Sequence, residues 1–110
     1  MPEMMFRQTQ SFTGTLSDIL ASCSPMPIGQ SAAISILIPA GTSPNTITWH
    51  ASSEGSGTYL PIEKMAGGAL QTNIAASVAY VGPVELYAFA FVKAKLTTPA
   101  TITCIWTAKS

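Results

Sequence analysis

The sequence lacks charged side chains over one long stretch. From residue 19 to residue 53, it contains no Asp, Glu, Lys or Arg, and the titratable side chains of that stretch are Cys23 and His50. Acid–base catalysis and metal binding mostly depend on charged or titratable groups. The stretch therefore favours a role in packing or interaction.

Charge is scarce in the rest of the chain as well. Charged residues make up 9% of the 110 residues, against roughly 25% in an average soluble domain, while apolar residues make up 47%. Five basic and five acidic residues give a formal net charge of zero. Nucleic-acid binding normally uses a positive surface, so we expect no nucleic-acid partner. Net charge also keeps small proteins soluble and monomeric, so its absence predicts self-association or coverage by a partner.

Cysteine and histidine are equally scarce. One histidine and two distant cysteines, Cys23 and Cys104, cannot supply the usual four ligands of zinc. The glycine-rich stretches lack the lysine and the following helix of a phosphate-binding loop. We therefore predict no metal and no cofactor. In a chain without an export signal, two such cysteines are more typical of buried free thiols than of a disulfide.

Long apolar runs are missing too. The longest, Ala32 to Ala40, is interrupted by Ser35 and is too short to span a bilayer. Residues 1–10 lack the apolar core of a signal peptide. We expect no membrane partner, and synthesis in a reducing cytoplasm.

The residue types of a Ser-His-acid catalytic triad lie close together in the sequence only around His50, which is followed by Ser52, Ser53 and Glu54. In an extended strand, His50 and Ser52 would lie about 6 to 7 Å apart, too far for direct proton transfer. No nucleophile elbow is present. We predict no catalytic residues, a chain that is not an enzyme, and a His50 side chain that points outward from a strand.

Alternation of apolar and polar residues predicts an all-β protein. The expected inward residues are Ile34, Ile36 and Ile38 in one strand, Ile47, Trp49 and Ala51 in a second, and Ile102, Cys104 and Trp106 in a third. About seven or eight short strands are separated by turn residues at nearly regular spacing. This pattern predicts an antiparallel, jelly-roll-like β-sandwich in a single domain, residues 11–110, preceded by an arm, residues 1–10.

Three segments carry more specific predictions. Thr46 to Ser52 and Thr58 to Ile62 flank a glycine-rich turn and should form a hairpin, with Pro61 on an edge strand or at a bulge. Val84 to Lys95 has the strongest strand pattern and is apolar in the middle of both faces. Leu16 to Cys23 has the spacing of a short helix, of two turns at most.

Five residues are candidates for contact with a partner: Phe6, Arg7, Trp49, His50 and Tyr59. Phe6 and Arg7 belong to the arm, which either lies on a neighbouring molecule or is a frayed terminus. Trp49 and Tyr59, with Tyr87, could form an aromatic platform for a sugar. Trp49 shares its face with Ile47 and Ala51, however, which favours packing in the core.

The second half of the chain resembles a known group of proteins. The run ITWHASSEGSGTYLPI (47–62), then GGALQT (67–72), then VGPVELYAFAFVKAKL (81–96) and a closing Thr-rich strand are similar to small β-sandwich virion proteins of tailed bacteriophages. The resemblance covers roughly residues 46–110 and lies in the order and spacing of strands and turns. It implies a capsid decoration or cement protein, made in the host cytoplasm, which oligomerises as a dimer or trimer and clamps the major capsid protein on the virion surface.

Two other functions remain open from the sequence. One is a tail- or fibre-associated module, or a carbohydrate-binding module that uses Trp49, His50 and Tyr59. The other is a small hydrolase centred on His50. The first would require an accessible aromatic surface, and the second would require a nucleophile within reach of the histidine.

Overall fold

The computed structural model describes residues 9–28, 33–54 and 56–109, which are arranged in strands and short 3-10 helices. No α-helix occurs in these ranges, and the prediction of an all-β protein is confirmed. The strands are β1 (Thr9–Ser17), β2 (Met26–Pro27), β3 (Ala33–Leu37), β4 (Asn45–Ser52), β5 (Leu60–Pro61), β6 (Gln71–Ile74), β7 (Ala79–Val81), β8 (Phe91–Leu96) and β9 (Thr101–Lys109). The 3-10 helices are Leu20–Ser22 and Val84–Ala88.

The strands form one mixed sheet in the order β5-β4-β8-β1-β9-β3-β7, with β2 also paired to β8 and β6 to β4. The sheet has two halves, and every strand pair inside each half is antiparallel. One half contains β2, β4, β5, β6 and β8, and the other contains β1, β3, β7 and β9. The two halves meet where Ser17 of β1 pairs in parallel with Lys95 of β8. The purely antiparallel jelly-roll sandwich is not confirmed, because this backbone contact joins the halves into one sheet.

One face of the sheet carries the core. Ile34, Ile36 and Ile38 are buried, and the other two predicted inward sets are buried with them. Residues from both halves of the sheet belong to the same hydrophobic cluster, so the sheet curls around a shared core. The inward faces predicted from alternation are confirmed, because a sheet buried on one face needs an apolar side chain at every second position.

The predicted hairpin is present and lies at one end of the sheet. His50 and Ala51 of β4 pair with Pro61 and Leu60 of β5. β6 continues along the same edge of β4, where it pairs with residues 45–48. Pro61 thus occupies the edge position that its missing N–H predicts.

The prediction of a strand from Val84 to Lys95 is wrong in its first half. The backbone N–H of Leu86 donates to the Pro83 carbonyl at 3.1 Å, and the N–H of Phe89 donates to the Leu86 carbonyl at 3.1 Å, which closes a 3-10 helix. This turn buries Leu86 completely. The strand itself begins at Phe91. The prediction fails because a run that is apolar on both faces suits a buried turn as well as a central strand.

The prediction of a short helix from Leu16 to Cys23 is also wrong. Leu16 is a fully buried residue of β1, opposite Ile102, and only Leu20–Ser22 form a 3-10 turn. β1 itself begins at Thr9, inside the segment predicted as an arm. Its inward positions include Gly14, which interrupts the apolar alternation that would have revealed the strand.

Cys23 and Cys104 are buried free thiols, as predicted. Burial raises the pKa of Cys104 from 9.0 to about 11. Burial also raises the pKa of Cys23, whose thiol donates a hydrogen bond to the Ser17 carbonyl at 3.3 Å. Both groups are therefore neutral thiols at physiological pH. No helix among the described residues is long and apolar enough to cross a membrane.

Candidate functional site

The structure describes three of the five predicted partner-binding residues. Phe6 and Arg7 lie outside the described residues. Trp49 is 1% exposed, and its indole N–H donates to Thr72 Oγ1 at 3.0 Å. The core-packing interpretation of Trp49 is confirmed, and its indole ring is not part of the surface of this chain.

His50 lies on the outer side of β4, as the alternation predicts, but it is only 9% exposed. Pro61 of β5 and Lys93 of β8 flank it on the neighbouring strands. Its Nδ1 donates to the Thr48 carbonyl at 3.2 Å. Burial lowers the pKa of His50 below 6.5; the hydrogen bond to Thr48 raises it and the charge of Lys95 lowers it further. The histidine predicted to point outward from its strand is therefore buried and neutral.

Lys93 lies opposite His50 in the pairing of β8 with β4, and its ammonium group contacts the Tyr59 ring. Its Nζ lies 4.6 Å from the centroid of the Tyr59 ring and donates to the Leu20 carbonyl at 3.2 Å. Tyr59 is buried, and burial raises its pKa. We call His50, Tyr59 and Lys93, with the Leu20 carbonyl, the Lys93 cluster; it joins β4 and β8 to the turn after β1 and to the segment before β5.

The Lys93 cluster has the chemistry of a structural clamp. Ser52 Oγ accepts a hydrogen bond from the backbone N–H of Glu54 at 3.2 Å, and His50 Nδ1 donates one to the Thr48 carbonyl. These hydrogen bonds of the Ser52 and His50 side chains are therefore made with the backbone. Within the described ranges, no three His, Cys, Asp or Glu side chains are grouped so that they could hold a metal ion. The ammonium group meets a carbonyl and a ring face, both of which favour a cation.

A second feature lies on the half of the sheet made by β1, β9, β3 and β7. Ten uncharged residues share the side of this half that faces away from the core, and Lys109 is the next register position on that side of β9. We call these ten residues the outer face: Ser11, Thr13, Thr15, Thr103, Ile105, Thr107, Ser35, Leu37, Ala79 and Val81. Neighbouring strands lie about 4.8 Å apart, so these four strands span about 15 to 20 Å.

The apolar centre of the outer face is formed by Leu37 and Ile105. They are direct cross-strand partners, and they are 47% and 48% exposed. A shallow depression of about 200 Å³ lies beside them and is also lined by Pro39 and Thr103. The sequence did not identify this surface, because its residues come from four strands whose register only the fold reveals.

A larger open groove, of about 770 Å³, lies beside the β4–β5 hairpin. Its lining includes the exposed side chains of Leu60 and Phe89 and the acidic residues Glu54 and Glu63. Neither Trp49 nor Tyr59 lines it. The predicted aromatic platform for a sugar is thus not assembled in this groove, and the two rings are buried elsewhere.

Comparison of the chain with protein-family models, with curated proteins and with solved structures finds no match.

Proposed function

We propose that this protein is a non-enzymatic structural subunit of a tailed-phage virion, a capsid decoration or cement protein on the capsid surface. In this proposal it is made in the host cytoplasm and binds the major capsid protein and other copies of itself. The observation that supports it most is the uncharged outer face, centred on the exposed pair Leu37 and Ile105.

Such a surface suits binding across a seam between shell subunits. Burial of apolar surface contributes about 25 cal/mol for each Å² removed from water. A surface without ionised groups avoids the cost of removing charges from water, which often exceeds the gain from pairing them. The hydroxyl groups of Thr13, Thr103 and Thr107 can form hydrogen bonds with a partner at the same surface.

The resemblance of residues 46–110 to small virion β-sandwich proteins supports the same function. The proposal includes the jelly-roll-like sandwich that this resemblance implies. The outer face is the exposed or half-buried side of its half of the sheet, opposite the side that packs on the core. In the proposal, a neighbouring subunit of the particle covers that side.

The carbohydrate-binding alternative receives less support. It relied on Trp49, His50 and Tyr59 as an accessible group, and all three side chains are buried. A tail- or fibre-associated position would use the same outer face on a different part of the particle. The two positions are distinguished by the particle component to which the protein binds.

Capsids that lack the protein provide the test. The purified chain is mixed with such capsids, and co-sedimentation measures binding of the wild type, of Ile105→Lys and of Leu60→Lys. Leu60 is a matched control, because it is 64% exposed and lies in β5, at the far end of the strand order from β7. We expect the wild type and Leu60→Lys to bind and Ile105→Lys to fail. Absence of binding by the wild type, or normal binding by a folded Ile105→Lys variant, would refute the proposal.

A further inference from the structure

β7 forms one end of the sheet. Its three residues pair with β3 on one side, and no other strand in the described part of the chain pairs with them on the opposite side. An open sheet edge is a template for pairing with another strand. What the edge can pair with depends on its backbone groups, its side chains and its charge.

The backbone groups of Ala79 and Val81 point toward the open edge. The N–H of Gly82 donates to the Ile34 carbonyl at 2.9 Å, and the N–H of Ile38 donates to the Val78 carbonyl at 3.0 Å. In an antiparallel ladder, hydrogen-bonded and non-hydrogen-bonded pairs alternate. Ala79 and Val81 are the non-hydrogen-bonded positions between these bonds, so their N–H and C=O groups face away from β3.

The edge also lacks the charged side chains that often protect edges. From residue 65 to residue 84, the chain contains no charged residue, whereas natural edges are commonly protected by lysine or by an inward-pointing charge. Val81 is 78% exposed, and Val78 is exposed as well. The edge is therefore apolar, uncharged and accessible to an incoming strand.

We infer that β7 pairs with β7 of a second copy of this chain, antiparallel across a twofold axis at Tyr80. In that register, Ala79 of each copy lies opposite Val81 of the other. Each such pair exchanges two backbone hydrogen bonds, so the two pairs form four. The edge is thus complementary to itself, as a twofold interface requires.

Charge and continuity favour a second copy over a foreign strand. Two identical uncharged edges meet without repulsion, and the chain has no net charge to oppose dimerisation. Pairing also joins the outer faces of both copies, because Val81 belongs to the outer face and lies at the junction. Eight strands spaced about 4.8 Å apart make a continuous uncharged surface about 35 to 40 Å wide. The inference deepens the proposed function and rests on it in one respect, because the proposed function assigns capsid binding to this larger surface.

Sedimentation velocity over a range of concentrations tests the inference on the whole chain, with Val81→Lys and the control Leu60→Lys. We expect the wild type and Leu60→Lys to form dimers. Val81→Lys places two like charges near the symmetry axis and should raise the dimer dissociation constant at least about tenfold. Circular dichroism checks that each variant is folded. Hydrogen exchange should show that the amides of Ala79 and Val81 become protected as the dimer forms.

A monomeric wild type at all concentrations would overturn the inference, and so would a Val81→Lys variant that dimerises like the wild type. Dimers or trimers in which the amides of Ala79 and Val81 stay unprotected against hydrogen exchange would also overturn the inference, because the copies would then be in contact through another surface. Binding to capsids is measured separately. A chain that binds capsids as a monomer contradicts this inference alone, and a β7-dependent dimer that fails to bind them contradicts the proposed function alone.

Discussion

Leu37 and Ile105 lie directly opposite each other on β3 and β9, on the side of the sheet that faces away from the core. About half of each residue remains exposed, although paired aliphatic side chains are usually placed inside a protein. The pair is surrounded by hydroxyl-bearing and small side chains without charge. The pair therefore offers an uncharged apolar surface to solvent.

Replacement of Leu37 by threonine should therefore affect binding more than folding. Threonine is β-branched and favours strands. Because the side chain is exposed, we expect the free energy of unfolding to change by no more than about 0.5 kcal/mol. Urea titration measures this change, and co-sedimentation with capsids should show weaker binding. A loss of several kcal/mol would mean that Leu37 supports the core instead.

Gly14 allows the indole of Trp106 to lie against β1. A Cβ at position 14 would stand 2.7 Å from Trp106 Cζ2 and 3.0 Å from Cε2. Gly14→Ala should destabilise the protein by about 1 to 3 kcal/mol, as overpacking of a core usually does. Thr13→Ala, on the exposed side of the same strand, is the control and should change stability by less.

The same clash can be tested by a double-mutant cycle. Phenylalanine at position 106 lacks the Cζ2 atom, so Gly14→Ala should cost less in a Trp106→Phe background than in the wild type. The two residues are in contact, and non-additive effects are expected for such pairs. Simple additivity would show that the glycine is needed for another reason.

The buried His50 predicts how stability depends on pH. Its folded-state pKa is lowered, mainly by burial, so below about pH 6.5 the unfolded chain binds this proton more readily than the folded chain. The stabilising contribution is complete above pH 6.5 and is lost as the pH falls from that value through the folded-state pKa. Urea unfolding at several pH values should show this fall in the wild type.

The chain has a single histidine, so His50→Gln isolates this contribution. The variant should lack the decline between about pH 7 and pH 5, where no other side chain of ordinary pKa titrates. Identical pH profiles for wild type and variant would contradict a lowered pKa at His50.

Lys93 should stabilise the fold through its ammonium group. Lys93→Met keeps a side chain of similar length but removes the hydrogen bond to the Leu20 carbonyl and the contact with the Tyr59 ring. We expect a loss of about 1 to 2 kcal/mol in the free energy of unfolding. Lys64→Met, at an exposed turn, should change it by no more than about 0.5 kcal/mol. Equal effects of the two substitutions would show that the Lys93 cluster is not a clamp.

The sequence predicts strands well where one face alone is apolar. Ile34, Ile36 and Ile38 show this pattern, and the Thr101 to Thr107 run shows it again. Alternation does not predict β1, because its inward position 14 is a glycine, which provides room for Trp106 and has no apolar side chain. The segment after Pro83 is apolar on both faces, and this pattern does not distinguish a strand from a buried turn.

The order of the strands and the candidate site depend on contacts between distant segments. Nothing local in the sequence indicates that Ser17 pairs with Lys95 and joins the two halves of the sheet. The contact between Lys93 and Tyr59 depends on where the hairpin and the turn after β1 pack. The outer face likewise depends on the register of four strands, so only its lack of charge could be anticipated.

The central claim is that the outer face binds the capsid, and hydroxyl-radical footprinting of Leu37 and Ile105 tests it most directly. Both side chains are exposed in the free chain and should be labelled there. On capsids, we predict that labelling of Leu37 and Ile105 falls sharply while labelling of Leu60 and Met65 does not. Unchanged labelling of Leu37 and Ile105 on bound protein, or no bound protein to label, would contradict the account.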